Sequence, residues 1–219
     1  MTRAEIRTRI LRALNDDPTT PVFWTLDEVN ALIQEGMEFL AETTQALKRT
    51  FYVPLRAGVA VYHLAGCGDD IVSPYRIWLP ELKRRLDAWS LTDLDARQET
   101  WMLTTGDPWI WYPIDWQQFG VWPVPATGGG ILELNTVVWP AALQDDRETP
   151  EFVPADHEAL VLFGEMEGYL KQYDVGRAAD LAQQFAQRWG QAQDRKSVKQ
   201  LLGAFHVRER HGHGVSSGE

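Results

Sequence analysis

The chain opens with a helical rhythm. Thr2 and Glu5 stand three residues apart, the spacing of a capping box, and Ile6, Ile10, Leu11 and Leu14 then recur on one helical face. Asp16, Asp17 and Pro18 end this helix. Thr25 and Glu28 repeat the start signal, and Leu26, Val29, Leu32, Ile33, Met37, Leu40 and Leu47 form one stripe of a longer helix. From Phe51 the period shortens to that of strands. FYVPL, VAVYHL, DIVSPYRIWL and LKRRLDAW, then WIWYP, QFGVWP and ILELNTVVWP, are short apolar runs bounded by Gly, Pro and Asp. Between them, SLTDLDAR, opened by Ser90, predicts a helix of one or two turns. PATGGG at 125–130 separates the last two runs, and its simplest reading is a hairpin turn.

After Pro154 the helical period returns, with Leu160, Phe163, Met166, Tyr169 and Leu170 on one face. Asp174 then caps a run holding Ala178, Leu181, Ala182, Phe185 and Trp189, and a weaker pattern contains Val198, Leu201, Leu202 and Phe205. HGHGVSSGE is small and polar and is expected to be mobile. This order predicts an α+β fold: mainly an α-helical bundle formed by both chain ends, with a central Trp-rich β-lobe. Residues 1–50 would give an N-terminal helical pair, 51–153 the lobe, 154–194 a C-terminal helical pair of the same bundle, and 195–219 an arm.

Composition narrows the function. The 219 residues are enough to bury a self-sufficient core, and Cys67, the one cysteine, has no internal partner, which points to a reducing compartment. A net charge of −10 disfavours a protein that coats nucleic acid. The sequence holds no apolar run of membrane-spanning length, and MTRAEIRTRI lacks an apolar signal core, so neither a membrane span nor a secretory leader is expected.

Candidate chemistry is sparse. His63, His157, His206, His211 and His213 lie in a strand, a helix start and a tail, with no nucleophile elbow or Cys-His signature beside them. His206, His211 and His213 do not make a closed ligand set for a metal. Asp69-Asp70 and Asp145-Asp146 with Glu148 lack calcium-loop spacing and read as solvated turns. The glycines of PATGGG lead into a strand, whereas a phosphate cradle leads into a helix. Arg3, Arg7, Arg9 and Arg12 give the first helix a basic face, yet Asp27, Glu28, Glu35, Glu38 and Glu42 on the second would repel phosphates from a helix-turn-helix. No enzyme activity, cofactor or metal is expected.

Eight of the ten tryptophans fall between residues 78 and 139. Rings at such density make a core, an interface or, more rarely, a sugar-stacking platform, for which Trp109, Trp111 and Trp116 would be the surface.

Several segments carry a family likeness. LDAWSLTDLDARQETW at 86–101, GDPWIWYP, FGVWPVPATGGGILEL and VVWPAALQDDRETPEFVPADHEALVLFGEMEGYL together resemble the head-to-tail adaptor (connector) proteins of tailed bacteriophages. Trp101 matches the Trp before the family's turn, Gly106 and Pro108 the turn, Pro123 and Pro125 the start of its hairpin, and Pro140 the strand exit; Pro150 and Pro154 precede the closing helices. The likeness runs over about residues 2–190.

The resemblance implies a noncatalytic virion protein. It implies a homomeric ring, a dodecamer, at the neck, made in the host cytoplasm and joined to the portal and to a tail, tail-terminator or nozzle protein, with double-stranded DNA passing through. A closed ring needs two complementary flanks, and Trp101, Trp109, Trp111, Trp116 and Trp122 are then the expected contact residues. An acidic wall would let DNA slide. The basic arm with Arg195, Lys196, Lys199, Phe205 and Arg208 is expected to meet the portal.

Overall fold

The computed structural model describes residues 1–97 and 100–190. In chain order the elements are α1 (Arg3–Ala13), α2 (Leu26–Thr44), β1 (Lys48–Pro54), β2 (Val61–His63), β3 (Ile71–Leu79), β4 (Arg84–Ala88) and α3 (Leu91–Arg97). There follow β5 (Thr105–Gly106), β6 (Ile110–Pro113), β7 (Gln118–Trp122), β8 (Val124–Pro125), β9 (Ile131–Val138), α4 (His157–Lys171) and α5 (175–190). The fold is mixed α+β, and it divides into two compact units, residues 47–141 and the two chain ends.

In the unit of the chain ends, α1, α2 and α4 pack against one another pairwise. Both predicted capping boxes form: Glu5 N–H donates to Thr2 Oγ1 at 3.3 Å and Glu28 N–H to Thr25 Oγ1 at 3.2 Å, each glutamate accepting from its cap's N–H in return. Asp16 accepts from the N–H groups of Val22, Phe23 and Trp24, and these bonds, Val22 foremost, hold its carboxyl below the usual range. Gly164 and Gly168 let α1 approach α4 closely. A Cβ there would stand 2.4 Å from Ile10 Cδ1 and 2.5 Å from Leu14 Cδ1. Phe39 of α2, Phe163 of α4 and Phe185 of α5 join the remaining faces, with centroids 5.7 to 5.9 Å apart. Leu47 does not continue the α2 stripe, because Gln45 turns left-handed at φ 49° and ends the helix.

Residues 142–153, grouped with the lobe by sequence pattern, fall in the helical unit. They seat on the start of α1: the N–H groups of Arg3 and Ala4, orphans of a helix N-terminus, donate to the carbonyls of Glu148 and Asp146. Asp146 also pairs with Arg3 and Arg7, at 2.9 and 2.7 Å, so this acidic run is an anchor and not a solvated turn.

The other unit is built on a seven-stranded sheet of order β1-β9-β3-β4-β6-β7-β2. β1 pairs with β9 along its whole length, β3 pairs with β9 through two bulges, and β4 runs parallel to β6. Val53 and Leu55 at one edge and Tyr62 and Leu64 at the other share a single core with Ile77, Leu86, Trp111, Phe119, Val121 and Leu134. Two edges can share a core only if the sheet curls around it.

The hairpin reading of PATGGG is corrected. β7 pairs with β6 and β2, while β9 pairs with β1 and β3, so residues 125–130 are a crossover between distant strands. The Gly129 N–H donates to the Leu55 carbonyl, and φ of +100° requires glycine there.

Gly120 has a packing role. It lies opposite Tyr112, whose ring would come within 2.1 Å of an added Cβ. Gly120→Ala is therefore expected to lower urea stability by about 1–2 kcal/mol, the cost of overpacking a rigid ring, measured by chemical denaturation.

Candidate interaction surface

β6 reads IWYP, with no polar position, because both faces of the β6–β7 pair are covered. Trp111, Phe119 and Val121 face the curled core, while Ile110, Tyr112 and Trp122 face a second cluster with Leu94 of α3 and Trp101. Around Leu94 and Ile110, this second cluster is built of aromatic rings. Trp101 meets Tyr112 edge-on at 5.3 Å, Trp109 tilts against Trp122 at 5.3 Å, and Trp89 meets Trp109 edge-on at 5.8 Å. The Arg97 guanidinium lies over both Trp89 and Trp109, at 5.2 and 5.3 Å. Both buried indole N–H groups are satisfied, Trp101 by Asp95 at 2.8 Å and Trp122 by the Trp101 carbonyl at 2.7 Å.

The five expected contact residues therefore separate. Trp101, Trp111 and Trp122 are buried in the lobe's own cores, Trp109 is half-buried against the second, and Trp116 is 84 % exposed. Within the lobe the first three act as core residues, not as exposed anchors. The stacking platform of Trp109, Trp111 and Trp116 does not assemble either, since Trp109 and Trp111 pack into different clusters. Arg195, Lys196, Lys199, Phe205 and Arg208 lie outside the described residues, as do His206, His211 and His213.

Trp116 stands on a constrained turn. Ile114 and Asp115 donate their N–H groups to the Gln118 carbonyl, Gln117 donates to the Asp115 carboxylate at 2.7 Å, and Leu64 donates to the Gln117 carbonyl at 2.7 Å. Beside it the sheet opens. β4 holds β3 only along 77–79 and β6 only at 110–111, so residues 72–74 and the 113–118 turn have no strand between them. The result is an apolar groove of about 440 Å³, floored by Leu64, Trp111 and Phe119 and walled by Val72, Pro74 and Ile114. Asp115 lies at its rim.

The groove was not legible in the sequence, because it depends on where β4 stops pairing. Trp116 itself carried a signal: it sits between Asp115 and Gln117 in the short link between two strands.

Other titratable groups have structural explanations. Burial pushes the Cys67 thiol up, which keeps it protonated, and raises the Tyr62 and Tyr112 hydroxyls. Asp70 pairs with Arg49. Among the described residues no group of three or more His, Cys, Asp or Glu is placed to hold a metal ion, and no helix is long and apolar enough to cross a membrane.

The family model described as SU10 adaptor protein matches residues 1–207. The chain belongs to the SU10 adaptor protein family. No curated protein matches it. The adaptor is thus a structural protein of a bacteriophage, a virion component whose partners are other virion proteins. The match extends past residue 190, where the sequence resemblance ended, into the basic arm.

Proposed function

We propose that this adaptor forms a homomeric ring at the neck of the virion, a dodecamer, that joins the portal to the first tail component and lets double-stranded DNA pass. The observation that carries this is the family match over nearly the whole chain. In this reading the helices of the two chain ends work as one bundle, and the lobe supplies a contact between copies through the exposed Trp116 and its groove. The protein does no chemistry.

Charge distribution supports the DNA-passage part. Residues 1–46 and 142–190 carry eighteen carboxylates against eight Lys and Arg, a net −10, whereas residues 47–141 carry only −2. A wall of that sign repels phosphate and does not hold a moving duplex. The basic arm, with Arg195, Lys196 and Lys199, is assigned to the portal.

Native mass spectrometry of the full chain, alone and with purified portal protein, tests the proposal. A closed oligomer of fixed copy number that binds portal is expected. A chain that stays monomeric and ignores portal would contradict it.

A further inference from the structure

Of the lobe's exposed apolar features, two concern the β6–β7 pair. One is the groove beside Trp116. The other is Met102–Leu103, 63 % and 80 % exposed, on the single 3₁₀ turn (Trp101–Leu103) that begins at the buried Trp101. That turn is fixed at its root: Trp101 is locked in the aromatic cluster, and Thr104 N–H donates to the Trp101 carbonyl at 3.1 Å.

The two features lie on opposite faces of the β6–β7 pair. Side chains alternate along these strands, and Trp111 and Phe119, the groove floor, point to one core while Tyr112 and Trp122, beneath the Met102–Leu103 turn, point to the other. One copy of the lobe cannot bring its own knob into its own groove. Two copies can, and because the surfaces differ, each union leaves one groove and one knob free for the next copy, the geometry that closes into rings. Charge agrees with this pairing: Asp115 lies on the groove rim, and Arg97 lies on the face that carries the knob.

We propose that the partner of the Trp116 groove is a second copy of this chain, whose Met102 and Leu103 insert into it. This rests on the ring reading and names the contact within it. Leu103 and Met102 would bury against Leu64, Trp111 and Phe119, with Trp116 closing over them and Arg97 meeting Asp115.

Paired variants of the full chain test it. Leu103→Asp spoils the knob and Trp116→Ala the groove, and each is expected to weaken self-association by about 30-fold or more, the effect of a contact hot spot, with thermal melting unchanged because both side chains are exposed. Met102→Ser gives a milder knob variant should Leu103→Asp melt early. Mixing the two variants is the decisive arm. Each keeps one intact surface, so an equimolar mixture should give dimers and nothing larger by native mass spectrometry. Full rings from either variant alone, or a mixture that stays monomeric while the wild type forms rings, would overturn the contact but leave the ring intact. A wild type that stays monomeric even with portal would overturn both.

Discussion

Trp122→Ala is expected to cost the 47–141 unit about 3–5 kcal/mol, the range for deleting a large buried ring. Trp122 is 6 % exposed, tilts against Trp109, and donates its indole N–H to the Trp101 carbonyl. Truncation opens a cavity between α3 and the β6–β7 pair and leaves the Trp101 carbonyl without that donor. The Met102–Leu103 turn rests on Trp101, so the variant should lose self-association together with fold. Trp122→Phe separates the two contributions: it keeps most of the ring packing, lacks the N–H, and should cost clearly less. Urea denaturation followed by near-ultraviolet circular dichroism reads both. A Trp122→Ala loss below about 1 kcal/mol would show that the cluster is not a core, since exposed side chains fall in that range.

Asp146→Ala is expected to cost the helical unit about 2 kcal/mol. The carboxylate itself is half exposed, which alone would make its pairs weak. Its partners are not, for the Arg3 and Arg7 side chains are only 15 % and 12 % exposed, and deletion leaves two covered guanidiniums without their anion. The loop carrying Asp146 also supplies the carbonyls that cap α1, so the start of that helix should fray. Hydrogen bonds from Arg7 and then Arg3 hold the Asp146 carboxyl at about 2, against an ordinary 3.8. A depressed carboxyl stabilises the fold fully above its unfolded value and loses that contribution as pH falls from about 4 through about 2. Wild type should therefore lose stability over that window, and Asp146→Ala should lose less, so the two acid-denaturation curves converge. Parallel curves would show that the pair contributes nothing.

The helices were legible in the sequence because their signals are local. Thr2 with Glu5 and Thr25 with Glu28 each lie within one turn and bond as their spacing predicts, and Ser90, read as the opening of α3, accepts from the Asp93 N–H. The strands were legible as runs, but their pairing was not. PATGGG has hairpin composition, yet the strands it joins seek β6 and β2 on one side and β1 and β3 on the other, which no local pattern records. Residues 142–153 were assigned to the lobe because they follow β9, while Arg3, more than 140 positions earlier, decides where Asp146 sits.

The tryptophans mark the limit most clearly. Composition singled out one stretch, and the same indole ring suits a core or a contact surface equally well. What separates Trp111 from Trp116 is the alternation around each one. Trp111 lies in IWYP, apolar on both strand faces, whereas Trp116 lies between Asp115 and Gln117 in a turn. A reading weighted toward those neighbours would have left Trp116 exposed and moved Trp101, Trp111 and Trp122 inside.

Direct imaging of the neck in the intact virion tests the central claim most plainly. The account predicts cyclic density between portal and tail, into which the lobe and the helical unit each fit as separate bodies, with Trp116 of one copy against Met102 and Leu103 of the next. A neck whose density is wholly accounted for by other chains would contradict it.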